Sequence, residues 1–420
     1  MHDVSNAVAR YNPDGSLDRS FNSTGMVAAD ALEQTFANAI ALQADGKVVV
    51  GGADSDLTSG SVGFGITRYN ADGSLDTSFG TRGSVRTRIG DRDGQANALA
   101  IQPDGRLLIA GTAFGTTGND DRFALGRFDS DGTLDAGFGN GGLVTTPVGV
   151  GSAQANGLIV QPDGKIIVSG TAFLNGSTDD DFGVVRYNAD GSLDTSFGGS
   201  GIITTDFGPI EPGPDAPSDR ANALTLQADG KLVVVGSSGR LASDFALARY
   251  NADGSLDTSF GSGGRALGGI ANDAEAHAVD IQPDGSIVVA GSTSGVNPAF
   301  VVARFHADGS TDPSFGTGGS VVMTFDGGGG GARALTIQGD GSIVVGGSGY
   351  AASSIDADPV GGFAVLRLKP DGSFDSAFGS SGRVLTSAGD AGGGVNALAL
   401  APDGRIVAAG LASFRVQPSR

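Results

Sequence analysis

Two phrases, each written seven times in strict alternation, constrain what this chain can fold into more than any other feature. The first reads ARYNPDGSLDRSF from Ala9, TRYNADGSLDTSFG from Thr67, GRFDSDGTLDAGFG from Gly126, VRYNADGSLDTSFG from Val185, ARYNADGSLDTSFG from Ala248, ARFHADGSTDPSFG from Ala303 and LRLKPDGSFDSAFG from Leu366. The second reads ALQADGKVVVGG from Ala41, AIQPDGRLLIAG from Ala100, IVQPDGKIIVSG from Ile159, TLQADGKLVVVG from Thr225, DIQPDGSIVVAG from Asp280, TIQGDGSIVVGG from Thr336 and ALAPDGRIVAAG from Ala399. Successive arginines of the first phrase, Arg10, Arg68, Arg127, Arg186, Arg249, Arg304 and Arg367, stand 55 to 63 residues apart. A chain of 420 residues would otherwise suggest two or three domains. Repetition of one supersecondary unit makes length a count of units instead.

Each unit parses into four strands. In one, Asn97 to Gln102 leads into a tight hairpin at Pro103, Asp104 and Gly105, and Arg106 to Ala110 returns as a nearly all-apolar strand. After a variable loop, Phe123 to Phe128 runs to a second turn at Ser130, Asp131 and Gly132, and the chain comes back through Leu134 and Phe138 to Leu143 and Val144. The fold class is therefore all-β: a single seven-bladed β-propeller over residues 1–420, four antiparallel strands per blade. Six blades are expected at about 38–85, 97–144, 156–203, 222–267, 277–322 and 333–385, and the seventh from 396–417 plus 5–27. Closure by the two terminal segments removes an exposed edge. Phe414 stands where other units start their third strand, so Ser413 to Gln417 compete with Asn6 to Arg10 for that place; the N-terminal segment carries the full phrase and is preferred. A β-solenoid is the runner-up, but its coils are usually shorter and lack paired DG hairpins.

Composition agrees. Gly supplies 73 residues, Trp and Cys none, and of 46 acids only Glu33, Glu211 and Glu275 are Glu, leaving Asp, the acid of turns rather than of helices. A net charge of −20 argues against nucleic acid or an anionic membrane surface as partner. Without cysteine there is no disulfide, thiol nucleophile or zinc-thiolate site. The opening MHDVSNAVARYN has no apolar stretch suited to a signal peptide, and no apolar run of membrane-spanning length occurs.

The two phrases resemble those of the delta-60 repeat family of bacterial proteins, over essentially the whole chain. What the resemblance implies is a propeller, often in large surface or secreted proteins, hence an extracellular or cell-surface location. It names no reaction and transfers no catalytic residue.

A residue present in every unit serves the unit, whereas an active site needs something done once. Each repeated arginine has an aspartate eight residues on, as Arg68 has Asp76 and Arg249 has Asp257, which reads as a structural pair. The repeated Phe79, Phe138, Phe197, Phe260, Phe315 and Phe378 read as filler between blades. The segment from Asn70 to Asp76 carries oxygen ligands at short spacing but lacks the distant glutamate of a calcium loop, so it reads as a plain turn. No pair of carboxylates suited to glycoside hydrolysis can be placed.

Function is expected on the face opposite the uniform DG hairpins, where the length variation lies. Two neighbouring loops there are acidic, giving Asp120, Asp121, Asp179, Asp180 and Asp181 as candidate calcium ligands. At the start of the innermost strand Asn38, Asn97, Asn156, Asn222 and Asn396 occupy one position, which His277 and Arg333 take in two adjacent units, with Glu275 close by. Those eight residues are the candidate ligand site, at the mouth of the central channel. The expected function is a non-enzymatic, monomeric binding module or scaffold for a protein or carbohydrate; the alternative is a hydrolase or lyase centred on His277 and Arg333.

Overall fold

The computed structural model describes residues 2–28, 34–55, 60–90, 92–117, 119–173, 180–208, 218–239, 243–269, 273–295, 297–325, 327–351, 361–389 and 392–415. Among these every regular element is a strand, and the strands fall into seven antiparallel groups of four. The architecture is all-β and propeller-like.

One unit shows why. Its strands are Gly94–Ile101, Leu107–Ala113, Arg122–Phe128 and Leu143–Thr146. The second is buried along its whole length because both its faces are covered. Leu107 and Ile109 enter the core shared with the preceding unit, and Leu108 and Ala110 the core shared with the next, as the two-residue period of a strand requires. The hairpin before it closes with Gln102 N donating to Arg106 O at 2.8 Å, and Gly105 takes a φ of +86°, which a side chain would strain.

The first phrase builds more turn than strand. Leu134 makes an isolated bridge to Phe128, and Phe138 lies in the turn before the short fourth strand. Here Arg127 donates to Asp135 at 2.7 Å and lies 4.4 Å over the Phe138 ring. All seven units repeat this, with Arg–Asp distances of 2.6 to 2.8 Å and Arg–Phe distances of 4.4 to 5.0 Å. The same guanidinium also donates to a carbonyl of the next unit's hairpin: Arg10 to Ala71, Arg68 to Ser130, Arg127 to Ala189, Arg186 to Ala252, Arg249 to Ala307 and Arg304 to Pro370. Arg367 completes the cycle by donating to Pro13 at 2.6 Å. The innermost strands likewise touch in a cycle, the last, Gly392–Leu400, packing on the first, Gln34–Leu42. Hydrogen bonds from Lys231 and Ser259, with the charge of Arg249, hold the Asp257 carboxyl well below the usual carboxylate range against the opposing effect of burial.

The terminal segments share one sheet, as expected: His2–Tyr11 pairs with Ile406–Arg415, from Tyr11 against Ile406 to His2 against Arg415. The tail does not compete for the third strand, however. With no turn residue after Gly410, the second strand continues, setting Ser413 opposite Val4 and Phe414 opposite Asp3; residues 416–417 lie outside the described residues. A second difference joins two units into one eight-stranded sheet through a single parallel bridge, Asp180 to Ser218.

Candidate functional site

The position that alternates between Asn, His and Arg is the extra residue of a β-bulge. Asn38, Asn97, Asn156, Asn222, His277, Arg333 and Asn396 each fall at a register shift between the first and second strands. A bulged residue is left out of the ladder, which frees its side chain to turn away from the sheet. The second strand accommodates the bulge with glycine. A Cβ on Gly52, Gly111, Gly170, Gly236, Gly291, Gly347 or Gly410 would lie 1.5 to 1.9 Å from a backbone oxygen of the bulged strand. These glycines close the second phrase in every copy. They are the signal in the sequence for a bulge at this position of each unit.

The ring is bonded from unit to unit. Asn38 donates to the Ala96 carbonyl at 2.8 Å, Asn97 to Ala155 at 2.8 Å, Asn156 to Ala221 at 2.9 Å, Asn222 to Ala276 at 2.8 Å, and Asn396 to Ala37 at 2.8 Å. Each bond fixes the amide orientation, nitrogen toward the neighbour. At the two substituted positions no such bond forms, so the carbonyls of Ala332 and Val395 receive no side-chain donor among the described residues. His277 instead shares a hydrogen bond with the Ser292 hydroxyl at 3.2 Å. Burial pushes its imidazole below the usual value; Glu275 opposes that and Arg333 adds to it. Glu275 itself accepts from Asn222 at 3.1 Å. Arg333 is exposed and makes no hydrogen bond or ion pair among the described residues.

Seven of the eight expected mouth residues line one cavity of about 640 Å³, with Gln95, Ser348, Tyr350, Gly392 to Gly394 and Ser413; Glu275 stands behind Asn222. Arg333 is the one cation among those lining residues. Grooves of similar size lie between outer strands, one around Gly139 and Asp190, another around Gly316 and Asp371. Those two are built from corresponding repeat positions, so they belong to the scaffold.

The acidic residues separate. Asp120 accepts from Thr116, Thr117 and the Thr117 hydroxyl, and Asp121 accepts from Gly115, so both carboxylates serve their own loop. Asp180 accepts from the Ser218 hydroxyl at 2.7 Å and lies 3.5 Å from Arg220. Asp179 lies outside the described residues. Asp181 instead meets Asp206 and Asp219, one oxygen of each within 4.8 Å of the others. Asp181 and Asp219 are buried, and Asp219 accepts from Phe207 N at 2.7 Å. The repeated hairpin aspartates are turn residues, as expected: Asp72 accepts from both the amide and the hydroxyl of Ser74.

A family model described as a domain of unknown function (DUF5122) beta-propeller matches residues 3–21, 43–79, 102–138, 161–197, 227–260, 282–315 and 338–378. Each full segment runs from the residue before the hairpin to the stacked phenylalanine, so the ring positions fall between segments. No curated protein matches the sequence. Among solved structures, a PL25 ulvan lyase bound to GlcA(1-4)Rha3S is similar over 81% of this chain and 83% of its own, at 11% identity and a TM-score of 0.50. The polysaccharide lyase Uly1 is similar over 96% and 98%, at 11% and 0.47, and Sqt1 from Chaetomium thermophilum over 91% and 97%, at 16% and 0.42. At such identities the likeness is one of fold alone. Among the described residues no helix is long and apolar enough to cross a membrane.

Proposed function

We propose, from the premise that this chain belongs to the DUF5122 β-propeller family, that it is one domain, a closed seven-bladed propeller acting as a non-enzymatic binding module. Two cycles support closure, the arginine-to-hairpin bonds and the packed innermost strands. The binding site is the channel mouth, and the partner a carbohydrate outside the cell, bound by a monomer. One observation carries the reading. Five units spend the bulged residue on a bond to their neighbour, and two adjacent units do not, setting His277 and Arg333 over the cavity. A scaffold alone gains nothing from that exception.

The exception also supplies the test. The double variant His277→Asn, Arg333→Asn restores the repeat, so it should melt no lower than the parent while losing the ligands that the parent captures on a glycan array. A variant that keeps every ligand with unchanged affinity over roughly pH 5.5 to 8 would remove the mouth from consideration.

A second reading, a lyase at the same mouth, is favoured by the imidazole of His277, which burial keeps in its neutral, proton-accepting form. A binder returns its saccharide intact and a lyase does not. Calcium at the acidic side, on this geometry, rests on Asp181 with Asp206 and Asp219 rather than on Asp120 and Asp121. Titration with millimolar calcium should raise the melting temperature of the parent and not of Asp206→Asn; no rise in either leaves these carboxylates to their protein hydrogen bonds.

A further inference from the structure

We infer that the ligand of the mouth is an acidic saccharide, a uronate-bearing chain seated across the arc from Glu275 to Arg333. This rests on the mouth being the recognition site. Two features of the arc point to one chemistry. First, it holds the cavity's one cation. In a chain of net charge −20, whose repeated arginines are paired with aspartate, Arg333 offers an uncommitted planar fork that matches a carboxylate.

Second, Asn222 and Asn396, which line the cavity on either side, have committed their amide nitrogens to the neighbouring units, which leaves their side-chain oxygens as acceptors whose complement is a donor such as a sugar hydroxyl. A ligand that meets an acceptor on each flank of the arc and a cation within it presents hydroxyls and one anionic group. Glu275 lies at the opposite end, against Asn222, so the site is polarised. Carboxylate at Arg333 and hydroxyls toward Glu275 is the orientation that avoids like charges. His277, held neutral between them, neither repels the carboxylate nor competes with Arg333 for it.

The probes are a galacturonate trisaccharide, the neutral galactose trisaccharide of the same linkage, and inorganic phosphate, titrated calorimetrically into the parent, Arg333→Asn and Arg333→Lys. The parent should bind the galacturonate trimer at least about tenfold more tightly than the galactose trimer, and Arg333→Asn should abolish that preference without lowering the melting temperature. Arg333→Lys should restore part of it, since charge is kept and the fork is lost. Equal binding of both trimers, unaffected by Arg333→Asn, overturns the uronate and leaves a sugar site at the mouth. Phosphate displacing the trimer at equal concentration overturns it in favour of a simple anion site. If neither trimer binds the parent, both the uronate and the carbohydrate reading of the mouth fail.

Discussion

A chain beginning at residue 34, without His2–Tyr11 and Met26–Ala28, should melt at least roughly 10 °C below the parent and associate as its concentration rises. The removed segment is core. Ala7, Val8, Ala9, Tyr11 and Phe21 are at most 1% exposed. Losing it strips the backbone partner from ten residues of Ile406–Arg415, which then offers a long unpaired edge. It also takes the Pro13 carbonyl from Arg367, the Tyr11 hydroxyl bond from Thr386 and the Asp18 carboxylate from Arg405. Two interfaces open, one on each side. Differential scanning calorimetry with sedimentation velocity decides the matter: an unchanged melting point in a chain that stays monomeric would mean that the terminal pairing contributes nothing.

Asp257→Ala should cost about 3 kcal/mol of stability while leaving saccharide binding untouched. Asp257 accepts from Arg249 Nε at 2.8 Å, from Lys231 at 2.8 Å and from the Ser259 amide and hydroxyl. Without it Arg249 remains buried over Phe260, 4.6 Å from the ring centroid, still bonded to Ala307 but with no counter-charge. An uncompensated buried cation is the expensive product, more than the lost attraction itself. Urea unfolding monitored by far-ultraviolet circular dichroism measures the cost. Stability held at the parental value, together with lost binding, would show that a repeated pair had been mistaken for scaffold.

Much of this architecture is written in residues that act on their nearest neighbours. Gly105 needs its left-handed conformation wherever it sits, and the apolar run from Leu107 demands cover on both faces, so hairpins and four-stranded units could be read directly. The ring of asparagines was legible as a position because it recurs, and His277 and Arg333 because they interrupt it. The bulge was not read, since an extra residue in a ladder leaves no mark on its own strand; the mark is the glycine opposite, as at Gly111. The acids were harder. Whether Asp120 faces a neighbour or caps its own loop depends on Thr117, three residues away, and the meeting of Asp181 with Asp206 and Asp219 joins segments that only tertiary structure brings together.

The cycle of arginines bonded to the next hairpin also bears on how the molecule comes apart. In an open array the end units have a single neighbour, fray first and need capping sequences to keep them soluble. If the ring is closed as proposed, no unit is terminal, and all seven are held on both sides by the same lock. Releasing any one unit then breaks two junctions at once, and the units beside it inherit the frayed ends that the ring had abolished. Partial unfolding is thereby penalised twice over, so a protein made of seven weakly individual parts should denature as a single cooperative body.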